Sequence, residues 1–98
     1  MTKIAYAPFM EFCKTHIGRE LPTIGGKAKF KLYKVENDCL RWIVLSTNDD
    51  RHYSKKNWIL KFIEYFNKTN SLSPSEYNKN IHCTTASYIL TLIKLYID

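Results

Sequence analysis

Apolar residues recur along this chain with two different periods, and the places where the period changes divide it into elements. Phe9, Phe12, Cys13 and His16 share one face of a 3.6-residue repeat, which predicts a first helix over about Ala7 to Ile17. Pro8 sits in its first turn and Gly18 is placed to end it. From Arg19 to Gly26 neither period holds, and Pro22 with Gly25-Gly26 reads as a connection. Two strand-like runs follow, Lys29 to Val35 and Leu40 to Ser46, on either side of Glu36-Asn37-Asp38-Cys39. That polar stretch suits a tight hairpin with Asn37 and Asp38 at its tip.

The turn carries a register with it, because a slip of one residue would send every side chain to the other face. Val35 is expected opposite Leu40, Lys34 opposite Arg41, Tyr33 opposite Trp42, Leu32 opposite Ile43 and Phe30 opposite Leu45. A second turn, Thr47-Asn48-Asp49-Asp50, leads to a short third strand, Arg51-His52-Tyr53, with Arg51 beside Ser46 and Tyr53 beside Val44. Phe30, Leu32, Ile43 and Leu45 then form the core face. Lys29, Lys31, Tyr33, Trp42, Arg51 and Tyr53 gather on the opposite one. Lys34 and Arg41 fall on the core side at the hairpin tip and must reach past it into solvent.

Ser54 is a good N-cap for a second helix over about Lys55 to Thr69, in which Ile59, Phe62, Ile63 and Phe66 keep the helical period. Ser73-Pro74-Ser75-Glu76 has a capping-box pattern and predicts a single helical turn through Tyr77. The polar positions of the last helix, about Thr84 to Ile97, include Thr84, Ser87, Thr91 and Lys94, which recur at intervals of three and four. A helix apolar around most of its circumference lies at the centre of a domain or in a subunit interface. The order predicts an α+β fold: an N-terminal helix, a three-stranded antiparallel sheet, then two C-terminal helices with a short helical turn between them. The 98 residues suffice for one core, so residues 1–98 are read as a single compact domain.

Charge changes this picture at one strand. Between Gly25 and Lys34 the chain carries Lys27, Lys29, Lys31 and Lys34, although lysine is disfavoured in strands. Residues 1–35 hold seven Lys/Arg against two Glu, a net of +5, of a total of +6. Such a run either guards a sheet edge or offers charge to an anionic partner. The residues around it favour the partner. Lys27, Lys29, Lys31 and Arg51 would neutralise phosphates while Tyr33, Trp42 and Tyr53 stack or support them, an arrangement best suited to single strands. The competing reading packs these aromatic rings under a helix and leaves the lysines as a basic rim. Arg51, His52, Lys55 and Lys56 form a second cationic group where a strand turns into the second helix, and the helix start would favour an anion there.

Other chemistry finds little footing. His82 and Cys83 are adjacent, Cys39 lies in the hairpin, and no spacing supplies a tetrahedral set, so neither metal nor cofactor is expected. Asp49-Asp50 suit a turn, and Gly25-Gly26 lacks the rest of a phosphate loop. The chain is therefore read as non-enzymatic. Three cysteines without paired spacing, and no apolar run near the roughly 20 residues of a membrane span, point to a reduced cytoplasmic setting and no membrane partner. A rival function is self-association, a homo-oligomer formed through Tyr88, Leu92, Leu95 and Tyr96 of the last helix, with the lysines as edge guards. An apolar small-molecule pocket is a third, suggested by aromatic content alone.

Arg51-x-x-Ser54-Lys55-Lys56, Phe62-x-x-Tyr65-Phe66-Asn67, Ser73-Pro74-x-x-Tyr77 and Ala86-Ser87-Tyr88-Ile89 together resemble small α+β proteins carried on bacterial mobile gene cassettes of the integron type. The likeness covers about the last two-thirds of the chain. It implies a bacterial or phage-like origin, a compact fold and often an oligomer, and it supplies no catalytic residue.

Overall fold

In the computed structural model, which describes residues 3–24, 26, 28–81 and 85–98, the elements run α1 (Tyr6–Lys14), β1 (Glu20–Pro22), β2 (Lys29–Val35), β3 (Cys39–Val44), β4 (Asp49–Lys55), α2 (Lys56–Thr69), α3 (Pro74–Ile81) and α4 (Ala86–Ile97). The class is α+β, as expected. The sheet, however, has four antiparallel strands in the order β1-β2-β3-β4, and the helix between α2 and α4 has eight residues in place of a single turn. The added strand is β1, inside the stretch read as a connection. Three residues are too few to show a period, and Pro22 belongs on an edge strand because it has no N–H to donate. With β1 in place, β2 is paired on both sides. Lys29 and Lys31, each opposite a residue of β1, do not guard an open edge.

The β2–β3 hairpin closes where the turn residues predict it, with Val35 opposite Leu40 and Lys34 opposite Arg41. Beyond that the expected register fails. A β-bulge at Tyr33 leaves it without a partner, so Leu32 faces Trp42, Lys31 faces Ile43 and Phe30 faces Val44. A second bulge lies between β3 and β4: Trp42 pairs with His52 and Val44 with Asp49, which sets Asp50 and Arg51 together against Ile43. Tyr53 stands opposite Arg41, not Val44. Each bulge sends two neighbouring side chains to the same face.

The face turned toward the helices carries Leu21, Phe30, Leu32, Leu40, Trp42 and Val44, all buried in one core. Ile43, expected inside, points outward and is half-buried. Trp42 is the main correction: it is fully buried, with its ring 5.1 Å from Tyr88, 6.2 Å from His52 and 6.4 Å from Phe30. Ile59, Phe62, Ile63 and Phe66 of α2 complete the core as their spacing requires, together with Phe9, Met10 and Cys13 of α1. In α4, Ile89, Leu90, Leu92 and Ile93 are buried, and Thr91 is drawn in as well. Its hydroxyl donates to the Pro22 carbonyl at 3.0 Å and to Ser87 at 2.9 Å, tying the polar stripe of α4 to the edge strand.

The junction of β4 and α2 also departs from expectation. Lys55, with extended backbone, is the N-cap of α2 and offers no side-chain cap. Ser54 instead belongs to the strand, opposite Leu40 and buried, and its hydroxyl has no hydrogen-bond partner among the described residues.

Candidate nucleic-acid interface

Burial is concentrated on the helix side of the sheet; among the described residues the other face is exposed or half-buried apart from Cys39 at its hairpin end. On that outer face Lys29, Tyr33, Lys34, Arg51, Tyr53 and Lys55 are exposed, while Lys31, Arg41 and Ile43 are half-buried. Side chains alternate along a regular strand, but the two bulges break the alternation in favour of this face. Tyr33 and Lys34 both lie opposite Arg41, and Asp50 and Arg51 both lie opposite Ile43. Lys34 and Arg41, read from sequence as core-side residues, are thereby part of the cationic surface. No glycine or proline marks either bulge, so local spacing gave no sign of them.

Six cations thus share one face, and they differ in what already holds them. Lys34 pairs with Glu36 at 3.1 Å, and Arg41 approaches the same carboxylate at 3.8 Å. Arg51 is clamped by Asp49, through Nε at 3.0 Å and Nη2 at 3.1 Å. Those hydrogen bonds, joined by the Arg51 backbone N–H, hold the Asp49 carboxyl down at about 2. Lys29, Lys31 and Lys55 have no ion pair among the described residues. Exposed pairs are worth about 0–1 kcal/mol, so a phosphate can compete for the paired three and has no formed ion pair to displace at the other three.

The aromatic part of the face is Tyr33 and Tyr53. Tyr53 is 47% exposed, with the Arg41 guanidinium 5.5 Å and the Lys55 ammonium 6.0 Å from its ring centroid. Tyr33 is 38% exposed, and its hydroxyl donates to the Asp50 carbonyl at 3.0 Å. Trp42, assigned to this group from sequence, is in the core and takes no part. Lys27 lies outside the described residues.

The second cationic group does not assemble. His52 turns inward onto Trp42 and lies 3.7 Å from Asp49, while Arg51 is turned to the same carboxylate. The Lys56 backbone N–H donates to the Asp38 carbonyl at 2.7 Å, and its ammonium lies 5.2 Å from the centre of the Tyr6 ring. An open groove of about 500 Å³ runs past this point, lined by Arg41 and Lys55 together with Glu36 and Asp38. Its walls are of mixed sign.

Of the residues expected to mediate self-association, Leu92 is fully buried, and Tyr88, Leu95 and Tyr96 are half-buried against the core. Tyr96 packs edge-on to Phe9 and Phe12 of α1. Among the described residues no three His, Cys, Asp or Glu side chains are grouped to hold a metal, and no helix is long and apolar enough to cross a membrane.

No protein-family model, curated protein or solved structure matches this chain. The functional reading therefore rests on the geometry above.

Proposed function

We propose that this protein is a non-enzymatic module that binds nucleic acid through the open face of its sheet. The observation that carries the proposal is that the outer sheet face, exposed or half-buried over most of the described residues, is the one holding Lys29, Lys31, Lys34, Arg41, Arg51 and Lys55 together with Tyr33 and Tyr53. A sheet face without a covering layer normally carries mixed charge, since like charges on neighbouring strands repel. Here the acids on or beside it, Glu20, Glu36, Asp49 and Asp50, are outnumbered, and a polyanion laid across the strands relieves the repulsion.

Fluorescence anisotropy of a labelled oligonucleotide at several salt concentrations tests this. Each phosphate contact contributes a log-log slope of about −0.7 on single strands, so the three unpaired cations alone give roughly −2. Replacing Lys29 and Lys31 with Gln should flatten the slope by about 1.4 without disturbing the core. No binding at micromolar protein in low salt, or binding indifferent to these two replacements, would overturn the proposal.

A further inference from the structure

The hydroxyl of Tyr33 on β2 bonds a backbone carbonyl on β4, two strands away. Neighbouring strands lie about 4.8 Å apart. A tyrosine standing upright from the sheet lifts its hydroxyl away from every carbonyl in it, so this bond requires the ring to lie across β3. The register places Ile43 of β3 opposite Asp50, beneath that path. The polar end of Tyr33 is thereby satisfied inside the protein while the residue stays exposed. What it offers to solvent is a ring held down on the sheet, with Arg41 and Lys31 on the same face.

We infer that the ligand is a single strand with a base stacked on Tyr33, and that the site rejects the duplex; this rests on the nucleic-acid reading above. In a duplex each base face is covered by the next base pair, so only edges and phosphates are presented. The major groove admits a helix or a two-stranded ribbon. The open face of a four-stranded sheet is neither, and a ring fixed along it cannot reach into a groove. An unpaired strand has π faces to give, and its flexible backbone lets phosphates settle on Lys31 and Arg41 beside the stacked base.

The discriminating measurement compares four probes at one low salt concentration: a single-stranded oligothymidine, an abasic strand of equal length, a duplex of equal length and polyglutamate. The abasic strand keeps the phosphates and removes the bases. Stacking of one base is worth about 5- to 150-fold in affinity, so the single strand should exceed the abasic strand by that factor. It should exceed the duplex by at least about fivefold on the same basis. Tyr33→Ala should sharply reduce the ratio of single-strand to abasic-strand affinity, whereas Tyr33→Phe, which keeps the ring and loses only its anchor, should retain part of it. Equal affinity for single strand, abasic strand and duplex, all salt-dependent, would overturn the stacking inference and leave the phosphate-binding proposal standing. A ratio of single-strand to abasic-strand affinity undiminished in Tyr33→Ala would also overturn it. Absence of binding to every nucleic acid, or polyglutamate binding as tightly as the oligonucleotides, would overturn both.

Discussion

Replacing Ser54 with Ala should stabilise the protein, although a serine placed just before a helix is ordinarily a residue whose loss costs about 0.5–2 kcal/mol. The structure reverses the sign because Lys55, not Ser54, caps α2, and the Ser54 hydroxyl is buried without a partner among the described residues. Leaving a buried polar group unsatisfied costs about 1–3 kcal/mol, which the alanine variant recovers. The void left by one oxygen, on the order of 10 Å³ at about 24 cal/mol per Å³, returns a few tenths of a kcal/mol. The net is roughly 1 kcal/mol of added stability, equivalent to a rise in Tm of about 4–8 °C for a domain this small. Urea unfolding followed by far-ultraviolet circular dichroism reads it as a midpoint raised by roughly 0.5–1 M at unchanged slope. Stability lowered by about 0.5 kcal/mol or more would refute the reasoning and return Ser54 to the role of cap.

Three other outcomes follow from buried or clamped groups. Asp49→Asn removes the carboxylate that holds Arg51, so oligonucleotide affinity should rise several-fold at low salt and the salt slope should steepen by about 0.7; anisotropy showing no change would separate Arg51 from the binding face. The same carboxylate, held at about 2 in the folded protein against an ordinary 3.8, contributes stability above that ordinary value and loses it as pH falls toward about 2. The acid limb of a stability-versus-pH curve should therefore be shallower for Asp49→Asn than for the wild type below about pH 4, and identical above it. Burial pushes the Cys13 thiol up from 9.0 to about 12, so a disulfide reagent at pH 8 should leave Cys13 unlabelled by peptide mapping until the chain unfolds. Because its folded form keeps the proton longer, stability should also decline as pH rises from about 9 toward about 12. Finally, Trp58→Phe leaves Trp42 as the sole indole, and its emission should resist iodide until denaturant exposes it; efficient quenching of the native protein would return Trp42 to the outer face.

Much of the fold was legible because it depends on local rules. The core face of α2 followed from Ile59, Phe62, Ile63 and Phe66, and the hairpin tip followed from Asn37 and Asp38. What local spacing did not carry were the two bulges. Val35–Leu40 and Lys34–Arg41 pair as the turn requires, and one residue later the ladder slips at Tyr33. That slip moves Trp42 from the expected binding face into the core and Ile43 out of it. The reason is volume: the indole fills the space among Phe30, His52 and Tyr88, which Ile43 in the same place would leave partly empty. Such a choice is made by packing between elements distant in sequence, so nothing adjacent to Tyr33 announces it. The strand β1 was missed for a related reason, since its three residues are fixed by pairing with β2 and by the Thr91 hydroxyl on Pro22.

The bulge at Tyr33 also bears on which length changes the chain can survive. Removing a residue of β2 outside the Tyr33–Lys34 bulge shifts the remainder by one and exchanges inside for outside. Removing Tyr33 closes the ladder, bringing Leu32–Trp42 and Lys34–Arg41 into consecutive pairs with Phe30 and Leu32 still inward. The residue on which the inferred stacking depends is therefore one of the two bulge positions in that strand that the fold can spare, and a variant lacking Tyr33 should keep the architecture while losing the platform.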